Sequence, residues 1–144
     1  MTDSQQHTNV LTTIAWPYAI GLGLFALVRS IASISGLDDL AGRPLLPIVL
    51  TLAISLIWIL AVGLSRVRRP FLTLVAAGAT YAVAATVMSV PLSLAITGEL
   101  QGPLTNPFAV VSVLITNLIW GAAAGGIALL VQRMRRGGAS SVER

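Results

Sequence analysis

The sequence has no cysteine, no lysine and a single histidine, His7, in 144 residues, and only 10% of the chain is charged. Without cysteine there are no disulfides, no thiolate metal ligands and no thiol chemistry, and nothing is implied about redox compartment. All nine basic residues are therefore arginine, a codon bias that points to a GC-rich bacterial genome and says nothing about chemistry. The scarcity of charge goes with 56% hydrophobic residues and a mean hydropathy of +0.88, which excludes an ordinary soluble domain and predicts a membrane protein. A formal net charge of +4 would suit nucleic acid. The arginines, however, sit in short segments beside apolar runs and form no basic face, so nucleic acid is not an expected partner.

Recognisable chemical motifs are missing as well. There is no zinc-ligand spacing, P-loop, dinucleotide fingerprint or nucleophile elbow, and no Asp or His lies within an apolar run. The expectation is a protein that is not an enzyme, with no catalytic residues, metal or cofactor. Asp39 and Glu99, in the loops, are the only acidic residues considered as a cation or acid/base pair, and solvation explains them more simply.

What the chain does have is four apolar runs, at about 11–34, 45–64, 71–96 and 108–132. Each is long enough for a helix crossing roughly 30 Å of hydrocarbon, which takes about 20 residues. Their continuous apolar character predicts helices, since barrel strands would alternate. The connections SGLDDLAGRP, SRVRRP and TGELQGPLTNP carry turn residues and are too short for a soluble domain. The reading is one membrane domain over 1–144, an all-α four-helix bundle. MTDSQQHTN lacks a basic n-region and the run after it is long, so a retained signal anchor is expected.

Arg66, Arg68, Arg69, Arg133, Arg135, Arg136 and Arg144 fall on one side of a four-span topology, and Arg29 and Arg43 on the other. The positive-inside bias puts the first group, with both termini, in the cytoplasm of a bacterial cell, the protein being multi-pass in its plasma membrane.

An internal repeat is also legible. LAISLIW at 52–58 matches LITNLIW at 114–120, ISG at 34–36 matches ITG at 96–98 at the same offset, and RVRR at 66–69 echoes RMRR at 133–136. These matches predict two tandem-duplicated helical hairpins, 11–69 and 71–136, related by a pseudo-twofold axis along the membrane normal. In that register Ser55 corresponds to Asn117 and Trp58 to Trp120, all near mid-membrane.

Asn117, Gly121 and Gly125 share one helix face at a spacing of four, and the two glycines form a GxxxG motif, which lets a neighbouring backbone come close. The asparagine is expected to bond to another helix, with Thr80, Tyr81, Thr86 and Ser89 of the third span as candidate partners. Arg29 is expected to pair with Asp38, Asp39 or Glu99, or else to hold an anionic group; Tyr18, Leu22, Ala26 and Ser33 share its side of the helix. Pro91 should kink the third span. Trp16 fits an interfacial belt.

Two functions fit this inventory. The first is a non-catalytic accessory or structural subunit acting through helix contacts such as Asn117, Gly121 and Gly125. The second is a small oligomeric permease or channel, with Ser55, Tyr81, Asn117 and Arg29 along a midplane polar path flanked by Trp58 and Trp120. The expected partners are the lipid bilayer and either further copies of the chain or another membrane subunit.

Overall fold

Prolines mark where the helices start. Pro17, Pro70 and Pro107 each lie in a first turn, where a missing N–H leaves no hydrogen bond unmade. The computed structural model describes residues 10–34, 45–100 and 102–139, and contains no strand among them. The helices are α1 (Trp16–Phe25), α2 (Leu27–Ile34), α3 (Leu45–Gly63), α4 (Pro70–Thr97) and α5 (Pro107–Ala139), with 3₁₀ turns at Val10–Thr13 and Pro103–Thr105. Asn106 caps α5 by accepting the Phe108 N–H at 3.0 Å. Gly98 ends α4 with φ +71°, a left-handed conformation that glycine adopts without strain.

Three helices are long and apolar enough to cross a membrane: Leu45–Gly63, Pro70–Ile96 and Pro107–Gly137. The first apolar run is a shorter helical segment, and it departs from the single helix expected over 11–34. Its helix is interrupted at Ala26, separating ten residues of α1 from eight of α2. The interruption follows one turn after Leu22, whose carbonyl accepts both the Ala26 N–H at 3.1 Å and the Trp58 indole N–H at 3.0 Å. Beyond it, the Arg29 N–H bonds to the Ala26 carbonyl, a tighter three-residue return. By contrast, α4 passes through Pro91 without interruption, and the hydroxyls of Ser89 and Ser93 bond to the Thr86 and Val90 carbonyls around it.

Packing centres on α4, which lies most extensively against α5 on one side and α1 on the other; α3 leans mainly on α5. The α4–α5 seam is a backbone-to-backbone approach. A Cβ on Gly121 would stand 2.5 Å from the Leu74 carbonyl oxygen, one on Gly125 2.8 Å from that of Phe71, and one on Gly78 would collide with the Asn117 carbonyl. The GxxxG face is thus occupied by α4 within the same chain. Alanines 77, 124 and 128 continue the buried seam, while Leu52, Leu56, Ile119 and Leu130 are among the large apolar side chains left exposed. The two proposed hairpins pack unequally: α2 touches α3 only slightly, whereas α4 and α5 are in contact over much of their length.

At one end, the buried Gln132 side chain donates to the carbonyls of Val62 (3.0 Å), Ser65 (3.0 Å) and Val67 (3.2 Å). Arg135 adds a bond to the Leu64 carbonyl at 2.7 Å. Two amide protons shared among three acceptors bind one C-terminal carbonyl of α3 and two of the loop after it, and so fasten the 64–69 loop to α5. This brings the RVRR and RMRR segments to the same end of the bundle. Ala15 also reaches this end, its N–H meeting Thr73 Oγ1 at 3.4 Å.

Two stability tests follow. Gly121→Ala should destabilise the protein by about 1 to 3 kcal/mol through overpacking, whereas Gly126→Ala, whose Cβ meets nothing within 4 Å, should be neutral or slightly stabilising; reversible unfolding in mixed micelles measures both. Gln132→Leu should cost about 1 to 3 kcal/mol and speed amide hydrogen exchange within 64–69 ahead of α3 itself.

Candidate functional site

The polar side chains of the spans gather in one region. Arg29 sits on α2, which runs away from the arginine-rich end. Because Cα–Cβ bonds tilt toward a helix N-terminus, its side chain leans back toward the middle of the bundle. There its Nη1 meets Tyr81 Oη at 3.4 Å, and Ser30 Oγ lies 3.0 Å from the same oxygen. Tyr81, at about 1.5 Å per residue, stands about 17 Å along the 28-residue α4. The phenol is buried, so its oxygen depends on these two partners.

Arg29 thus reaches a tyrosine on a neighbouring helix, a partner not expected for it from sequence. The reach is short and inward, whereas Asp38 and Asp39 lie outside the described residues, as do Arg43 and Gly36. Of the stripe expected beside it, Ala26 is buried, Leu22 is half-buried and Tyr18 is exposed, so it does not form one protein-facing strip. The Ser33 side chain lies outside the described residues.

Asn117 also differs from expectation. Its Nδ2 donates to the Val113 carbonyl of its own helix at 2.8 Å, and not to a neighbouring helix. The i−4 carbonyl is available at every helical position, so an amide beside a close-packed glycine seam can bond locally without a partner across the interface. Thr80 and Ser89 do the same, to Ala76 and Thr86.

The two tryptophans occupy different environments. Trp58 is 3% exposed, and its indole crosses to the Leu22 carbonyl. Trp120 is 45% exposed and donates to Ser55 Oγ at 2.9 Å; Ser55 in turn donates to the Thr51 carbonyl at 2.6 Å. Trp16 is exposed near the start of α1 with its indole on the Leu11 carbonyl.

Between α2, α4 and α5 lies a cavity of about 410 Å³ bordered by Arg29, Tyr81, Thr86, Ser112, Thr116 and Asn117. It extends from mid-bundle to Pro103, where Gly102, at φ +105°, packs its backbone close to Ser89. A smaller hollow of about 190 Å³ on the α3 side shares Arg29, Tyr81 and Asn117 and adds Thr51, Trp58 and Trp120. A third, of about 280 Å³, joins Arg29 to Thr51 and Trp120. Among the described residues, Arg29 is the only formally charged one lining any of the three. A larger groove of about 660 Å³, on the other side of α4, is lined almost wholly by apolar side chains such as Leu72, Val75 and Val83 and offers no comparable chemistry.

Arg29, Tyr81, Asn117, Trp58 and Trp120 thus line neighbouring hollows, with Ser55 behind Trp120 as its acceptor, while Gly121 and Gly125 lie in the seam beside them. Sequence reasoning passed over Ser30, Thr51, Thr116 and Gln132. A serine next to an arginine in an apolar run and a glutamine in the last turn of another were the available signals. Among the described residues no three His, Cys, Asp or Glu side chains come together. No protein-family model, curated protein or solved structure matches the chain.

If Tyr81 anchors Arg29 and Ser30, Tyr81→Phe should destabilise the protein by about 1 kcal/mol, and Ser55→Ala, which removes the Trp120 acceptor and a local bond to the Thr51 carbonyl, by about 0.6 kcal/mol. Unfolding in mixed micelles should rank the two in that order.

Proposed function

We propose that the chain is a four-span protein of a bacterial plasma membrane, with both termini cytoplasmic, that takes a polar solute into the cavity between α2, α4 and α5. In this reading it is the unit of a small permease or channel. The observation that carries the proposal is the convergence of Arg29, Tyr81 and Asn117, from three helices, on a common polar space at mid-bundle. The clustering of the RVRR and RMRR arginines at one end supports the orientation. Four helices can hardly enclose a wide pore alone, so the working form is a homo-oligomer in contact with lipid.

The accessory-subunit reading draws on Asn117, Gly121 and Gly125 as a docking face. The close fit of α4 to those glycines weakens that support, because the face is already filled. Tandem duplication belongs to the same proposal. It is supported by the LAISLIW and LITNLIW match and by each copy's tryptophan donating across to another helix, whereas the unequal hairpin contacts and the different burial of the two tryptophans count against it.

The test is reconstitution of the purified protein in liposomes, with flux of glycerol, a neutral amino acid and phosphate measured in parallel. The expected result is a reproducible homo-oligomer with flux of at least one solute, reduced roughly tenfold or more by Asn117→Leu. Stoichiometric recovery with an unrelated membrane protein, and no flux without it, would favour the accessory role and sink this one.

A further inference from the structure

The guanidinium of Arg29 stands in an unusual electrostatic position. Arginine has five N–H donors and stays cationic in proteins, and Arg29 is exposed beside the cavities, so its donors are accessible to a ligand. Here one donor meets Tyr81 Oη, at the long distance of 3.4 Å, and among the described residues lining the adjoining cavities there is no carboxylate. The direction of α2 tilts the side chain toward mid-bundle, where it borders all three hollows.

The groups around it suit an anion. Tyr81 Oη accepts from Arg29, which leaves the phenolic proton for Ser30 or for a ligand, and Ser30 Oγ, 3.0 Å away, can turn its own proton outward. A guanidinium with two hydroxyls beside it presents a convergent set of donors, and its planar fork matches the paired oxygens of a carboxylate or phosphate. The cavity of about 410 Å³ has the capacity of a small-ligand site.

We infer that this cavity binds an oxyanion, free or carried on a lipid headgroup, with Arg29 as its charge partner and the Ser30 and Tyr81 hydroxyls as supporting donors. The inference rests on the solute-binding reading and adds the ligand's chemistry to it. An anion at this point neutralises the one formal charge that the described residues bring to the cavities, and it is the occupant for which they have the most unused donors.

The experiment uses the full-length protein in a nonionic sugar detergent. Inorganic phosphate is titrated by calorimetry, with glycerol as the neutral probe, and phospholipid carried through purification is extracted and quantified by mass spectrometry. The expected result is saturable phosphate binding, or anionic phospholipid retained in stoichiometric amount. Phosphate binding without retained lipid identifies a free anion as the source; retained lipid that phosphate does not displace identifies a headgroup. Arg29→Gln should weaken whichever is observed by roughly tenfold or more, the size expected for losing a charge-assisted pair, and Arg29→Lys should recover part of it. Circular dichroism checks that each variant folds. If Arg29→Gln does not, Tyr81→Phe supplies the comparison, with a severalfold loss expected.

Neither phosphate binding nor retained lipid in the wild-type protein would overturn the inference, as would Arg29→Gln binding like wild type. Ala85→Trp, which fills the cavity, separates the two levels. Loss of binding in Ala85→Trp with none in Arg29→Gln keeps the cavity and rejects the oxyanion; no effect of either variant on an observed binding rejects the cavity itself.

Discussion

Helices surrounded by hydrocarbon gain little from covering one apolar surface with another, so what holds them is close van der Waals contact and the few polar bonds they can share. In this chain that condition is met at the α4–α5 seam, where Gly78, Gly121 and Gly125 let one backbone rest on the other. The rest of the arrangement depends on this approach. It fixes α5 against α4 with Asn117 beside Gly78, and it puts Tyr81, less than a turn along α4, on the border of the same space. α1 then takes the opposite side of α4, its Gly23 against the Ala77 carbonyl and Thr80.

A seam that consumes the glycine face internally changes what the polar residues beside it are for. Asn117 is satisfied by its own helix, and the buried polar side-chain atoms of the described residues all have partners. The hydrogen-bonding capacity left over lies mainly on Arg29 and the hydroxyls around it. Structural needs are met by glycine, alanine and short local bonds, and the unspent donors border the cavities.

Much of this was legible in the sequence, for reasons that differ by residue. The small-residue face at 117, 121 and 125 follows from helical spacing alone, and an arginine inside an apolar run announces itself through its cost. Asn106–Pro107 reads directly as a cap and first turn. Other features were hidden. Ala26 is neither proline nor glycine, so the interruption of the first run has no local signature; it coincides with an indole arriving from Trp58, thirty-two positions later. The partners of Arg29 and Asn117 were hidden too. Spans apolar nearly all round do not say which face meets which neighbour, and that order decides whether Arg29 finds a loop carboxylate or Tyr81.

The Gln132 clamp has a mechanical consequence. By binding the end of α3 and the loop before α4, it ties three helices together at one end, and the glycine seam locks two of them again at mid-depth. α3, α4 and α5 are thereby fastened to one another at two levels. Against them α1 is broadly seated, but α2, beyond the interruption at Ala26, touches α3 and α4 only lightly. Among the described helices the least fastened is therefore the one that carries the charge, and its placement hangs on two contacts with a single phenol, that of Tyr81.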